Sequence, residues 1–196
     1  MITSEKLTKS FKLFDEANSQ DPNKEEYKGE EYPKELLYAI RMTEKLNDFT
    51  PNASEILQLT ARCQHICRWK IPRDSYPMNR VGYLQWRQDL KKFHAKMASE
   101  VLKEVGYGQE VIDKVAFLLQ KKQLKKNKET QILEDVICLV FLEFYFEDFA
   151  QKYSEDKIID IVQKTWRKMS KEGQDAALQL PLSKDSLTLV SKSVLG

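Results

Sequence analysis

The amino-acid sequence predicts an all-α protein, and three features of the chain point to that class. Its 196 residues include only 6 Gly and 6 Pro, the residues that most often interrupt regular structure. Leu, Lys and Glu are frequent, as in helical proteins. Apolar side chains recur at three- and four-residue spacing, and no strong alternating pattern of β-strands occurs. We therefore expect a single domain, residues 1–196, built from about eight helices.

Amphipathic segments predict the individual helices, and turn residues predict where they begin and end. Pro33 suits the first turn of a helix, Ser54 or Asn52 can cap another, and the sequence GYG at 106–108 stops a third. The segment VICLVFLEFYF is apolar nearly all round and predicts a central, buried helix. The main helices are predicted at 5–17, 34–46, about 54–69, 82–105, 109–122, 129–150 and 154–170.

Three segments are expected to lie between or after the packed helices. Residues 18–33 are rich in charge and contain Pro22, Gly29 and Pro33, which predicts an exposed connection. The lysine-rich sequence KKQLKKNK is typical of a solvated link between helices, and we favour that interpretation over a nucleic-acid contact. Residues 181–196 predict a C-terminal tail with weak helical character. No composition shift indicates a domain boundary.

Composition excludes several classes of protein. The formal net charge of +2 gives no global argument for binding nucleic acid. No apolar run approaches the roughly 18 residues that a membrane span needs, and the first residues lack the apolar core of a secretion signal. Three cysteines are an odd number and a poor disulfide framework. We expect a cytoplasmic protein that does not enter a membrane.

The stretch RCQHICRWKIPR, residues 62–73, places a histidine between two cysteines. If the helix predicted from about 54 to 69 is continuous, residues two apart point to opposite sides. Cys63 and Cys67 then share an apolar face, where a free cysteine packs as a small apolar residue, and His65 points away from them. Because no second cysteine pair occurs at ligand spacing, the pattern disfavours a zinc site.

Polar side chains on otherwise inward faces predict a pocket. A buried charge needs a partner, a metal or several hydrogen-bond donors. Two inward histidines, a carboxylate and two arginines on the main helices therefore indicate a shared polar site. The alternative is a structural pair of Glu55 with Arg62, and His65 hydrogen-bonded to backbone. The predicted inward residues are His65, Arg62, His94, Arg87 and Asp135.

The order of these residues resembles the HD superfamily of metal-dependent phosphohydrolases. The resemblance rests on His65, the segment YLQWRQDLKKFH and the segment QILEDVICLVFLE. It implies an all-helical, divergent HD-like core at about residues 52–150. It also implies that His65, His94 and Asp135 bind a divalent metal (manganese, iron or zinc), which activates water against a phosphoester.

Over the whole chain, three phrases are similar to an uncharacterised family, domain of unknown function 4202. They are RCQHICRWKIPR, YPMNRVGYLQWR and LEDVICLVFLEFYF. That resemblance implies no activity.

The chain departs from the HD pattern at its central motif. Members carry an adjacent His-Asp pair, whereas this chain has Trp86-Arg87 or Gln88-Asp89 at that place. An inward Arg87 repels a metal and attracts an anion. Two versions of the pocket follow: one binds metal, and in the other Arg62 and Arg87 hold a phosphate while a histidine does acid–base work or no chemistry.

The loop KIPRDSYPMNR, residues 70–80, fits both versions of the pocket. It adds Lys70, Arg73 and Arg80 as candidate phosphate contacts, because guanidinium groups match phosphate oxygens. A solvated loop whose arginines pair with local acids such as Asp74 is equally consistent with the sequence.

The pocket and the resemblance together predict hydrolysis of a phosphate ester in a nucleotide or related small metabolite. The alternative is a non-catalytic binder of a phosphate-bearing ligand, either a nucleotide or RNA, on a degenerate site. A third interpretation is a helical interaction protein whose polar interior is only structural.

Overall fold

The computed structural model describes residues 4–195, so Gly196 of the predicted tail lies outside the described residues. The chain forms two compact units, residues 1–122 and 123–196, which are treated separately below. Ten α-helices occur in the described part of the chain, more than the about eight expected. The protein is mostly helical, as predicted. Within these residues no helix is both long and apolar enough to cross a bilayer.

The first unit contains five helices and one β-hairpin, in the chain order that follows. They are α1 (Glu5–Asn18), β1 (Lys24–Tyr27), β2 (Glu30–Pro33), α2 (Lys34–Phe49), α3 (Glu55–Arg62), α4 (Arg80–Val105) and α5 (Gln109–Leu119). Two short 3-10 helices, Arg68–Lys70 and Arg73–Ser75, lie in the loop between α3 and α4.

The core of the first unit forms where α1, α3, α4 and α5 bury their apolar faces. Leu7 and Phe14 come from α1, as the three- and four-residue spacing predicts, and Leu102 comes from α4. Cys63 and Cys67 also lie in this core, which confirms their predicted packing role. All three cysteines are free and buried.

The segment predicted as an exposed connection contains a small antiparallel hairpin within an otherwise helical chain. β1 pairs with β2 so that Tyr27 lies opposite Glu30. Lys28 and Gly29 turn the chain with φ values of 54° and 80°, as a tight two-residue hairpin turn requires. The strands are too charged to give an apolar alternation, so the sequence pattern does not show them.

Helix α3 ends at Arg62, earlier than the predicted end near Trp69. Cys63 already departs from helical geometry, with φ −101° and ψ 12°, and Cys67 is left-handed, with φ 53°. The backbone N–H of Cys67 donates to Asn18 Oδ1 at 2.9 Å. This long-range hydrogen bond replaces the helical one, so His65 lies in a turn and the helical-wheel argument does not apply to it.

The second unit is built from five helices. Their bounds are α6 (Lys128–Phe144), α7 (Phe146–Ala150), α8 (Glu155–Lys168), α9 (Lys171–Ala177) and α10 (Lys184–Leu195). The predicted central helix therefore breaks at Tyr145, where φ is −126° and ψ −13°. The predicted tail forms a helix, α10, that packs on α8 and buries Val190 completely.

Gly82 lies in the first turn of α4 and packs closely against the loop that precedes this helix. A Cβ at this position would lie 2.1 Å from the carbonyl oxygen of Pro77. We expect Gly82→Ala to destabilise the protein by about 1–3 kcal/mol, although Ala normally favours a helix over Gly. Urea unfolding followed by circular dichroism measures the change.

Gly108→Ala is the matched control for this substitution. A Cβ there meets nothing within 4 Å, and its φ of −69° suits any residue. Its effect should stay below about 1 kcal/mol. Equal effects of the two substitutions would contradict the packing argument.

Candidate functional site

A buried side chain, Asn18 at the end of α1, brings together the two segments that form the candidate site. Asn18 Nδ2 donates to the carbonyl oxygen of Glu35 at 3.4 Å. Its Oδ1 accepts the N–H of Cys67 at 2.9 Å. Asn18 is completely buried, so both ends of its amide are used away from water. The start of α2 and the turn after α3 are thereby held beside one another.

A second buried side chain, Asp21, fixes the first turn of α2. Asp21 Oδ2 accepts the N–H of Glu35 at 3.0 Å, and its Oδ1 accepts the backbone and side-chain N–H groups of Asn23 at 2.9 Å each. A carboxylate at this position satisfies orphan donors of the helix start. Glu35 is consequently placed with its carboxyl group facing the 63–68 turn.

Glu35, His65 and Arg68 form the centre of the site. His65 Nδ1 lies 3.3 Å from Glu35 Oε2, and His65 Nε2 lies 3.0 Å from Arg68 Nη1. Arg68 Nε lies 3.9 Å from Glu35 Oε1. Arginine can only donate, so Nε2 accepts and the proton of neutral His65 is on Nδ1, next to the carboxyl group. About a fifth of the His65 side chain, 21%, is accessible to solvent.

His94 on α4 completes the cluster beside His65. The two ring centroids are 5.8 Å apart, and Tyr38 of α2 stacks on His65 at 4.0 Å with an angle of 12° between the rings. His94 Nδ1 donates to the carbonyl oxygen of Ile66 at 2.8 Å. The structure thus brings both histidines together, and His94 is buried as its face on the helix predicts.

Burial and neighbouring charges change the pKa of all three titratable groups. Burial raises the pKa of Glu35 to about 7, and Asp21 adds to the increase while Arg68 opposes it. Burial also lowers the pKa of His65 well below its usual value, and four cations lower it further. Burial and the adjacent His65 lower the pKa of His94 to about 3. Both histidines are therefore neutral at pH 7. The carboxyl group of Glu35 beside them titrates near that pH.

The charge around His65 is predominantly positive. The four cations whose charges lower its pKa are Arg68, Lys121, Arg87 and Lys34. Glu35 is the carboxyl group paired with the ring, and it is partly protonated at neutral pH. A site with excess positive charge and neutral imidazoles favours an anionic ligand over a cation.

The predicted phosphate contacts have different surroundings. Arg62 is held by Asp15, with Nε and Nη2 at 2.7 and 2.6 Å from its two carboxylate oxygens. Arg73 donates to the carbonyl oxygens of Tyr76, Pro77 and Asn79 and so organises its own loop.

Three further predicted contacts reach the surface of the first unit. Arg87 is half-buried and donates to the Tyr83 hydroxyl at 3.2 Å. Arg80 and Lys70 are exposed. The phosphate-binding roles of these residues stay predictions. The guanidinium that contacts both the Glu35 carboxyl group and the His65 imidazole belongs to Arg68.

Asp135 belongs to the second unit, where it is buried as predicted. Its Oδ1 accepts the Ser170 N–H at 2.7 Å and Gln131 Nε2 at 3.1 Å, and its Oδ2 accepts the Ser170 hydroxyl at 2.7 Å. These bonds hold the start of α9. Burial raises the pKa of Asp135, while the bonds from Ser170 oppose that increase. The structure accounts for this carboxylate as a helix-capping group.

Residues 8–190 match the family described as a domain of unknown function (DUF4202). The chain belongs to this family. No curated protein and no solved structure matches the chain. The DUF4202 match covers both units and includes every residue of the site described above.

In this DUF4202 chain, sequence reasoning missed Glu35 and Tyr38 as site residues. A signal for both exists, because Glu35, Tyr38, Ala39, Met42 and Leu46 recur at helical spacing and all are buried. A glutamate within an apolar stripe indicates a buried carboxyl group. Arg68 carried no signal of its own, since its contact with His65 depends on the left-handed turn at Cys67.

The pH dependence of stability tests the buried carboxyl group. Folded Glu35 keeps its proton up to about pH 7, whereas an unfolded glutamate loses it near its usual value. Folding is therefore favoured by this group at low pH, and the advantage is lost as pH rises through about 7. Glu35→Gln removes that loss. As pH rises from 5 to 8, the free energy of unfolding of the variant should therefore increase by up to about 3 kcal/mol relative to that of the native protein.

Urea unfolding of both proteins at several pH values measures this difference. Glu55→Gln is a suitable control, because Glu55 is hydrogen-bonded by Ser4 and Tyr107 and has no contact with the histidines. If the free energies of unfolding of Glu35→Gln and of the native protein change in parallel with pH, the raised pKa of Glu35 is contradicted.

Proposed function

We propose that the protein binds a phosphate ester of a nucleotide or related small molecule at Glu35, His65 and Arg68 and hydrolyses it by acid–base catalysis. The observation that supports this most strongly is the contact chain from the Glu35 carboxyl group through the His65 ring to the Arg68 guanidinium. A carboxyl group and an imidazole with strongly shifted pKa values, next to a guanidinium, are the groups that such a reaction uses.

Phosphate binding is assigned to Arg68. Its side chain is one-third exposed, 32%, and its guanidinium offers planar N–H donors that match phosphate oxygens. Arg87 and Lys121 add positive charge near His65. An incoming phosphate competes with His65 Nε2 for the N–H groups of Arg68, and charge-assisted hydrogen bonds are the stronger ones.

Proton transfer is assigned to His65. When the phosphate draws Arg68 away, the Nε2 lone pair is free to accept a proton from water. The water oxygen forms a bond to phosphorus, the ester P–O bond breaks, and the leaving alkoxide takes the proton from the His65 imidazolium, which restores the neutral ring. Glu35 beside Nδ1 orients the ring and stabilises the imidazolium, and Tyr38 stacked on the ring limits its rotation.

The resemblance to HD phosphohydrolases supports a phosphoester substrate. In the part of the chain that the structure describes, no group of three His, Cys, Asp or Glu side chains is arranged to hold a metal ion. His65 uses both ring nitrogens in contacts with Glu35 and Arg68. The mechanism above therefore has no step at a metal, and a divalent metal stays a prediction from the resemblance.

A non-catalytic binder of a phosphate-bearing ligand is the second candidate. The observation that favours it is the position of Arg68, which occupies the imidazole nitrogen that catalysis needs. In that case Arg68 stays on His65 and the pair forms a fixed anion-binding surface. The two candidates share the ligand and differ in turnover.

Turnover of phosphoesters by site variants separates the two candidates. We expect the native protein to release phosphate or nucleoside from a panel of nucleotides and p-nitrophenyl esters. His65→Ala should lower kcat by at least about 100-fold, and His94→Ala should also reduce it. Glu55→Gln, whose partners are Ser4 and Tyr107, should retain the native rate.

Circular dichroism of each variant distinguishes lost chemistry from lost folding. Full turnover by a folded His65→Ala protein would overturn the proposed catalysis. A melting-temperature increase with phosphate that Arg68→Gln abolishes, together with no turnover of any ester, would establish the non-catalytic binder.

Elemental analysis tests the metal prediction independently of activity. Protein purified without chelator should contain about one equivalent of manganese, iron or zinc if the resemblance extends to the metal, and His65→Ala should lose it. Absence of metal in both proteins, even after manganese is added, would leave Arg68 as the electrophilic group of the site.

A further inference from the structure

A continuous stack of guanidinium groups and aromatic rings leads from the candidate site to the surface of the first unit. Its members, in order, are Arg68, Trp86, Arg73, Tyr83 and Arg87. The Arg68 guanidinium lies 5.0 Å from the Trp86 ring centre. Arg73 lies 5.9 Å from both the Trp86 and the Tyr83 rings, and Arg87 lies 5.8 Å from the Tyr83 ring.

The inner part of the stack is fixed in place by hydrogen bonds. Trp86 is 8% exposed, and its indole N–H donates to the Ile71 carbonyl oxygen at 2.8 Å. Arg73 is held by loop carbonyl oxygens, and Arg68 contacts His65 at 3.0 Å. Two guanidinium groups thus lie within 5.9 Å of the centre of one indole ring that is itself hydrogen-bonded to the backbone.

The outer part of the stack continues as one face of α4. Arg80, Tyr83, Leu84 and Arg87 recur at the spacing that places side chains on the same side of a helix. Tyr83 is 40% exposed and Leu84 57% exposed, so a ring and an apolar side chain lie open between two arginines. The span from Arg80 to Arg87 is about 10 Å along the helix.

Few acidic groups offset this positive face. The first turn of α4 contains no acidic residue, so the positive end of the helix dipole and Arg80 reinforce one another. Of the acids in the adjoining segments, Asp89 accepts a hydrogen bond from Tyr76 at 3.1 Å and lies 3.9 Å from Lys92. Asp74 is exposed. The net charge of the face stays positive.

We propose that this face, defined by Arg68, Arg73, Arg80, Tyr83 and Arg87, binds single-stranded nucleic acid. Arginines interleaved with accessible aromatic rings match the alternation of phosphates and bases along an unpaired strand. A base stacks on Tyr83 while neighbouring phosphates contact Arg80 and Arg87. The inner end of the strand reaches Arg68 and His65, so the inference extends the proposed function by naming the substrate class as a nucleotide at the end of a strand.

An unpaired strand suits this surface better than a duplex or an acidic protein. Bases in a duplex are stacked on one another and cannot stack on a side chain. An acidic peptide pairs with arginines but leaves the exposed Tyr83 ring unused. The planar groups that stack here match nucleobases, which all have a π face.

Fluorescence anisotropy with labelled oligouridylates of about 4, 8 and 16 nucleotides tests the proposal. The native protein should bind the longer strands more tightly than uridine monophosphate. Tyr83→Ala should weaken binding about tenfold. Arg80→Gln should weaken binding and reduce its salt dependence between about 50 and 200 mM, because one phosphate contact is lost.

Tyr153→Ala is the matched control for the stacking residue. Tyr153 is 43% exposed and carries Lys157 over its ring at 3.6 Å, but it lies in the second unit. The Tyr153→Ala variant should bind the oligouridylates as tightly as the native protein does. Equal weakening by the two tyrosine substitutions would overturn the proposal, as would equal binding of polyglutamate, or competition by uridine monophosphate as strong as that of a strand.

The binding assay and the turnover assay can fail separately. His65→Ala should weaken oligouridylate binding less than Tyr83→Ala does, because the imidazole contacts the inner residue Arg68 and the base stacks on the outer residue Tyr83. Strand binding without turnover would sink the proposed catalysis and retain the nucleic-acid face. Turnover of small esters without strand binding would overturn the nucleic-acid face and retain the proposed catalysis.

Discussion

The site depends first on the two hydrogen bonds made by the buried amide of Asn18. One bond reaches the start of α2 and the other reaches the turn after α3. Each contributes only about 1 kcal/mol net, but an unpaired buried amide or backbone group costs about 1–3 kcal/mol. Conformations that leave these buried groups unpaired are therefore disfavoured. The favoured conformation places Glu35 beside the turn that contains His65 and Arg68.

The cluster carries a cost for stability that the surrounding core offsets. A carboxyl group and two imidazoles are buried, and burial disfavours their charged forms. Among residues 4–195, His94 Nε2 has no hydrogen-bond partner. The neighbouring core of Leu59, Cys63 and Ile66 is fully buried and provides the compensating apolar contacts. Buried polar groups that reduce stability are typical of candidate functional sites.

Helical periodicity is enough to predict most of the fold and part of the site. It places Leu7 and Phe14 in the core and turns His94 and Asp135 inward, because these residues lie within regular helices. It fails at His65, since the predicted continuous helix ends at Arg62, where a long-range bond to Cys67 competes with helix formation. The pairing of Glu35 with His65 depends on contacts between segments about 30 residues apart in sequence, which no local pattern contains.

Asn18 also limits how this part of the chain can change during evolution. Its amide donates at one end and accepts at the other while carrying no charge. Aspartate has the same shape but no donor for the Glu35 carbonyl oxygen, and leucine has neither a donor nor an acceptor. Chemical deamidation of the Asn18 side chain would create that aspartate, so ageing of the polypeptide at one side-chain amide would break the hydrogen bond to Glu35 and leave a buried carboxylate oxygen beside its carbonyl oxygen.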